Sequence, residues 1–513
     1  MLKGINIMAK KALALILAIL MILPMAVACA ETNVGSDDTT APEATVAPSG
    51  TDVITEPVET ELMSQTLPED LDYKGENVTI LSRDSTFVSD EMWVDDQNGS
   101  MVNDAIYKRN EKVMEQLGIN IESIKLTGDA YVVSTELRNV ASSGETYFDI
   151  AANSTYSTIT YTSENIFLDL TECEYLDLDA IYWSQGYNES ASIGNSQYLA
   201  TGAIALSLYR LMFITFYNKT LLEAAQYENL YNVVDEGRWT LDYQIQLSKD
   251  LYKDADGSGT VSEGDTVGFA SSSLSYIDPY WSSCDMPILS KDADNLLVFS
   301  LDIEKMSNVV DKLIVLFNES NAWFDTSSGD DGKQTAMSNL FSSGTVGTVT
   351  MRLGSVETEQ LASMQDEYGI IPMPKYNEEQ QNYHTFLHDQ FTSIGIPSVL
   401  ASDEEKVQML GAVLEAMALE SYKTVVPTYY EVALKGRYLE DSDSWRMLDM
   451  IYENVKVDAG VLYTKNIESV HQAPRDMVLN GRNIVASMMK KISTRVQNVL
   501  LPKLLEDLLS LEK

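Results

Sequence analysis

Between Val78 and Ala152 short apolar runs alternate with longer amphipathic patterns, and this alternation constrains the fold more than any other feature of the chain. Val78-Thr79-Ile80-Leu81 reads as a buried strand. A polar stretch carrying Trp93 follows. Ser100 then suits the N-cap of a helix with Val102, Ala105, Ile106, Val113 and Leu117 on one face, stopped by Gly118. Ile119, Ile121 and Ile124 continue as a strand, residues 131–142 as a helix and Phe148–Ala152 as another strand. The order β-α-β-α-β predicts a parallel sheet covered by helices, with ligands at the carboxyl ends of its strands. Arg83, Asp84, Trp93, Asn153 and Ser154 fall at those ends.

A second run of mixed elements follows. Ala205–Tyr217 is apolar and strand-like, and Lys219–Gln226 begins a helix. Val346–Met351 and Tyr368–Ile371 read as strands, the latter closed by Pro372 and Pro374. Helical patterns dominate from Glu404 onward, with an amphipathic stretch from Ile484 to Leu501. The class is α/β, and at about 150 residues per domain the 513-residue length suggests roughly two to four domains.

The N-terminus carries a different signal. Lys3, Lys10 and Lys11 precede an uncharged apolar stretch, Ala12–Ala28, which ends in Ala26-Val27-Ala28 directly before Cys29. Residues 1–28 therefore read as a signal peptide. The pattern also resembles a bacterial lipobox in which Cys29 is lipidated, although Ala26 stands where Leu is usual. Residues 30–68 hold no aromatic residue and no Lys or Arg, and include Pro42, Pro48, Pro57 and Pro68. Such a segment buries too little apolar surface to fold, so a flexible acidic tether is expected over 29–72. The net charge of −42 argues against nucleic acid as a partner and against docking on anionic lipid. Beyond Cys29 only Cys173 and Cys284 remain, either as one disulfide in an oxidising compartment or as two small buried thiols.

Seven segments resemble family 1 extracellular solute-binding proteins, in family order from about residue 75 onward. They are Asn103–Asn110, Phe216-Tyr217-Asn218-Lys219 with Leu221-Leu222-Glu223, Arg238–Asp242, Gly344–Val349, Tyr368–Lys375, Ile394–Pro397 and the helix expected from Asp403. The resemblance implies a periplasmic-binding-protein-like fold: two mixed α/β lobes joined by a multi-segment hinge and closing over a ligand like jaws. Lobe one would take 73–205 and 376–415, and lobe two 206–375 and 416–513. It implies a monomeric substrate-binding lipoprotein of an ABC importer, anchored at Cys29 on the outer face of a bacterial membrane. Such a protein delivers a small solute, with an oligosaccharide the leading expectation, to a membrane permease. A ligand-sensing or adhesion lipoprotein and a secreted glycoside-active enzyme are the alternatives.

The sharpest local motif is Asp254–Asp265. It places oxygen donors at the positions of a calcium loop (Asp254, Asp256, Ser258, Thr260 and Asp265) with Gly259 at the turn, although Asp265 stands where an EF-hand has a bidentate Glu. A structural Ca²⁺ and a metal-free Asp/Gly turn are both compatible with it. For a sugar, aromatic faces with carboxylates and Arg are the expected chemistry. The candidates are Trp93, then Asp278, Tyr280 and Trp281 in the cluster Ser275–Trp281, and Arg352 after the strand expected to face the cleft. His388 and Asp389 are candidate cleft residues. His384 and His388 share a metal-ligand spacing, but on a segment expected to be non-helical, and His471 is isolated. No nucleophile elbow, P-loop, zincin motif or dinucleotide fingerprint is present, so no catalytic residue and no reaction cofactor is expected.

Overall fold

The computed structural model describes residues 64, 66–85, 88, 90–326, 330–430 and 442–511. The expected signal peptide, the lipidation site Cys29 and the tether up to residue 63 lie outside the described residues. At Ser64 the chain is already part of the folded body, its Oγ donating to Glu415 Oε1 at 2.8 Å.

The first sheet follows from the alternation that opens the body. Strands β1 (Glu76–Asp84), β2 (Ile119–Thr127) and β3 (Ile150–Ser154) are joined by helices α1 (Met101–Leu117) and α2 (Val132–Ser143). β1 lies between β2 and β3 and is parallel to both, with Ile80 opposite Ile150 and Glu76 opposite Ile119. Gly118 ends α1 in the left-handed region at φ 61°. A Cβ there would lie 2.2 Å from Asp72 Oδ1, so both the turn and the close approach call for glycine. α1 buries Ile106, Val113 and Leu117 as its pattern predicts, and also Arg109, whose guanidinium donates to Met92 O at 2.8 Å and Asn110 Oδ1 at 2.8 Å.

The second sheet has the order β10-β4-β9-β5-β8. Its strands are β4 (Phe213–Asn218), β5 (Val267–Ser272), β8 (Trp323–Asp325), β9 (Val346–Arg352) and β10 (Tyr368–Ile371). Helices α3 (Leu241–Leu251), α4 (Ile303–Asn318) and α5 (Asp330–Ser342) cover it, and β6 (Leu289–Lys291) pairs with β7 (Leu297–Phe299) in a separate hairpin. The apolar run Ala205–Tyr217 is not one strand: a helical turn at Ser207–Arg210 precedes β4. β11 (Thr392–Gly395) then returns to the first sheet, antiparallel to β3.

The C-terminal part is helical: α6 (Glu404–Glu420), α7 (Ser442–Glu453), α8 (Ala473–Leu479), α9 (Val485–Arg495) and α10 (Leu501–Leu509). The widened turns at Ser421–Val425 and Val496–Leu500 each stand just before a proline, Pro427 and Pro502, whose missing N–H cannot continue the α-helical ladder. α6 is buried on all sides from Met409 onward, and its Glu415 accepts from Trp183 Nε1 at 3.2 Å and Asp177 N at 3.2 Å. Cys173 and Cys284 are free and buried, and burial pushes both thiols up to about 12.

Two chain segments pass side by side between the sheets. Residues 200–213 leave the first sheet, where Ala200 bridges Ile394, and enter the second at Phe213. Residues 386–394 run the other way, with Met212 bridging Leu387 and Thr201 Oγ1 donating to Thr392 O at 2.7 Å. The buried Glu91 carboxylate accepts from Ser207 N at 2.7 Å, Ser207 Oγ at 3.1 Å and Thr392 Oγ1, so one side chain grips both crossings. Burial raises its carboxyl above the ordinary range, against those hydrogen bonds and the charge of Arg210.

Candidate functional site

Where the crossings meet the second sheet, three backbones lie side by side, each antiparallel to its neighbour. β9 ends with Arg352 opposite Phe213, Phe213 N donates to Phe386 O at 3.0 Å, and His388 N donates to Leu211 O at 3.0 Å. Arg352 and His388 are thereby set on either side of Phe213. The Arg352 guanidinium lies over the Phe213 and Tyr276 rings, 5.5 and 5.6 Å from their centroids, and its Nη2 approaches His388 Nε2 to 3.5 Å. His388 meets Phe213 edge-on at 5.9 Å and stands 3.8 Å from Asp389 Oδ1.

The loop after β5 and the C-terminal segment close the second side. Arg475 Nε donates to Asp278 Oδ1 at 2.8 Å, and its Nη2 to Asp278 Oδ2. His471 Nε2 lies 3.8 Å from the same carboxylate, and its Nδ1 is 2.7 Å from Thr464 Oγ1. Burial, with Arg475 and His388 nearby, holds His471 well below the usual imidazole value, so it is neutral. The Trp281 indole N–H donates to His471 O.

The first sheet supplies the third side from its strand ends. Thr155 N donates to Phe391 O at 2.9 Å and Tyr156 N to Asp389 O at 2.8 Å, which pins Tyr156 beside the second crossing. Burial and then the Asp389 charge raise the Tyr156 hydroxyl above its ordinary value, while Gln472 and Arg475 oppose them. Tyr131 packs against Tyr156 at 6.1 Å, and the Lys465 ammonium rests 4.0 and 4.3 Å from the two ring centroids. At the end of β1, Arg83 Nη1 reaches Gln390 Oε1 at 3.4 Å.

Of the residues singled out in the sequence, Asp278, Arg352, His388 and Asp389 thus fall into one cluster, all buried. Tyr280 and Trp281 are core residues: Tyr280 packs on Phe317 and donates to Gln244 Oε1 at 3.2 Å. Trp93 is half-buried, its indole bonded to Asp95 Oδ1 at 2.9 Å. Sequence reasoning missed Tyr156, Lys465, His471 and Arg475. Tyr156 stands two residues beyond Ser154, a strand end already marked, whereas the other three come from a helical segment with no local motif. His384 and His388 do not share a helix.

The Asp254 loop is separate from this cluster. Asp254 accepts from Gly257 N at 2.6 Å and Gly259 N at 2.8 Å, Asp256 from Ser258 N at 2.8 Å, and Asp265 from Ala255 N and Ser262 N at 2.8 Å. One carboxylate oxygen from each aspartate lies within 4.8 Å of the others. Ser258 Oγ is turned to Thr260 O at 2.9 Å.

The sequence matches no protein-family model and no curated protein. Solved structures do resemble the fold. The cyclic α-maltosyl-1,6-maltose binding protein from Arthrobacter globiformis aligns over 83% of this chain and 100% of its own at 15% identity, with a TM-score of 0.55. UgpB from Mycobacterium tuberculosis, in complex with glycerophosphocholine, aligns over 78% and 95% at 14% identity and a TM-score of 0.54. The GacH receptor of Streptomyces glaucescens, solved unliganded and with acarbose, aligns over 84% and 99% at 13% identity and a TM-score of 0.53. At such identities the likeness establishes the fold, which is the two-lobed α/β fold of periplasmic-binding-protein-like solute-binding proteins. Among the described residues no helix is long and apolar enough to cross a membrane.

Proposed function

We propose that the chain is the substrate-binding component of an ABC importer, capturing an oligosaccharide between two lobes and delivering it to a membrane permease. The observation that carries this reading is the buried polar cluster at the crossings, where Tyr156 from the first sheet, Arg352 from the second, His388 and Asp389 from a crossing and the Asp278–Arg475 pair converge. Buried charge is costly unless it is paired or serves a ligand. Arg and carboxylate groups beside tyrosine faces are the chemistry that holds sugar hydroxyls and C–H patches. The neighbours named above support the reading through the ligands their descriptions carry, saccharides for two of the three.

Capture follows from the topology. The closed state is favoured by the free energy of the ligand contacts that bridge both halves, because only those distinguish closed from open. The division at 73–205 with 376–415 against 206–375 with 416–513, export through residues 1–28 and anchoring at Cys29 are part of this proposal, and no catalytic step is.

The test is isothermal calorimetry of the folded body with a panel of mono- and oligosaccharides, amino acids and peptides, followed by Arg352→Met. A saccharide that binds at micromolar Kd, weakened at least tenfold in R352M, supports the reading. Binding of amino acids or peptides alone removes the saccharide, and turnover of any sugar in the calorimeter cell removes the binding-only role.

A further inference from the structure

The Lys465 ammonium differs in its surroundings from three lysines that lie over the rings of Tyr376 and Tyr383. Lys305 and Lys312 lie over Tyr376, and each also has an oxygen partner: Asp285 O at 2.8 Å for Lys305 and Asp242 Oδ2 at 2.7 Å for Lys312. Lys375, over Tyr383, donates to Gln380 O at 2.8 Å. Lys465 is half-buried on Tyr131 and Tyr156 and has no oxygen acceptor among the described residues. An ammonium carries three donors, and at Lys465 all three are left to water or to an incoming acceptor. In a chain with 77 acidic residues a purely structural lysine has carboxylates in abundance.

The charge around it points the same way. The chain has 35 Lys and Arg against 77 Asp and Glu. At the crossings the balance is close to even: Arg83, Arg210, Arg352, Lys465 and Arg475 stand beside Asp278, Asp389, Glu91 and Glu357. Lys465 and Arg475 both act on Tyr156, the first through its ring and the second through its charge. A site that escapes the acidic excess of the chain and carries an ammonium without an oxygen partner favours an anionic group at that spot, while the rest of the surface disfavours anions.

We infer that the captured saccharide is acidic, and that Lys465, held over Tyr131 and Tyr156, receives its carboxylate or sulfate group while the tyrosine faces border the adjoining ring. The inference rests on the binding-protein reading. It adds the charge of the solute and places a specificity-determining residue on the C-terminal segment.

The experiment uses the folded body, wild type and Lys465→Gln, with Lys465→Arg as the cation-retaining control. The probes are oligosaccharide mixtures from pectin, alginate, glucuronoxylan and chondroitin sulfate, beside neutral mixtures from starch, cellulose and mannan. For any uronate mixture that binds, its carboxyl-reduced counterpart is measured too. The expected result is binding of a uronate or a sulfated mixture, which tells the two anions apart. Carboxyl reduction or K465Q weakens it at least tenfold, and K465R stays within about threefold. Melting without ligand confirms that each variant is folded, so a general loss of structure is distinguished from loss of the anion site. Neutral mixtures binding wild type and K465Q equally would overturn the acidic solute and leave the saccharide-binding reading standing. No binding from either set would overturn both.

Discussion

Asp278 and Arg475 stand 197 positions apart and meet as a two-point pair, Arg475 Nε on Asp278 Oδ1 at 2.8 Å and Nη2 on Oδ2. The aspartate side chain is 3% exposed and the arginine 19%. The pair pins the C-terminal segment to the loop after β5, and the Trp281 indole on His471 O ties the same two segments again.

Removing one partner of a buried ion pair costs about 3–5 kcal/mol, because the other charge stays behind without compensation. The partial exposure of Arg475 lets water offset some of this, so Asp278→Ala is expected to lose about 2–3 kcal/mol. Urea denaturation of D278A, R475M and the double variant gives the coupling, expected at about 1–3 kcal/mol. Purely additive losses would mean that the pair contributes nothing beyond its separate parts.

Asp458 gives a pH dependence with a definite sign. Burial raises its carboxyl to about 6, against hydrogen bonds from the Ile288, Gly460 and Leu289 amides and the charge of Lys456. In the unfolded chain the value is about 3.9, so between those values the native state holds more protons, and stability falls as pH rises through the window. By pH 7 the loss amounts to about 3 kcal/mol. Denaturation midpoints of wild type and Asp458→Asn from pH 4 to 7 isolate this residue from carboxylates of opposite sign such as Glu228, which Arg238 lowers. The wild type should lose stability relative to the variant as pH rises, and parallel curves would contradict the assignment.

Neither thiol of the body should react in the native state. Cys173 and Cys284 are buried, unbridged and pushed up to about 12, so the nucleophilic thiolate is scarce at neutral pH. Alkylation followed by mass spectrometry should label neither before denaturation and both after it. A mass two units light, resistant to alkylation until reduced, would show a bridge instead.

For the Asp254 loop we propose a bound Ca²⁺. Each of its three aspartates keeps an oxygen within 4.8 Å of the others while also holding a backbone amide of the loop. Calcium at a hundred times its Kd would stabilise the fold by about 2.7 kcal/mol. The melting temperature should rise with Ca²⁺, less with Mg²⁺, and not at all in Asp256→Asn/Asp265→Asn. An unchanged melting curve in millimolar Ca²⁺ would leave a metal-free turn.

The β-α-β-α-β order was legible in the sequence because one periodicity governs each element: Val78–Leu81 buries as a strand, and Ile106, Val113 and Leu117 recur on one helix face. Element limits were less legible where a distant partner decides them. β3 reaches Ser154 because Thr392 pairs with it, and Ala205–Tyr217 divides at Ser207 because Glu91 takes that backbone amide. The Tyr276–Trp281 cluster could be seen as aromatic, but its cover comes from Phe317 on α4 and His471 on the C-terminal segment. Arg352 could be picked out because it closes an apolar strand run, and His388 because it stands four residues after His384 and beside Asp389. Lys465 and Arg475 come from a segment whose pattern reports only helix, and their place beside Tyr156 exists only once the chain has folded.

The grip of Glu91 on both Ser207 and Thr392 bears on how the molecule can bend. Two independent strips would permit each sheet to swivel, shear and fold, giving the opening motion several soft coordinates. Strips clamped at one shared point behave as a single ribbon, stiff to sliding and compliant in one flexure.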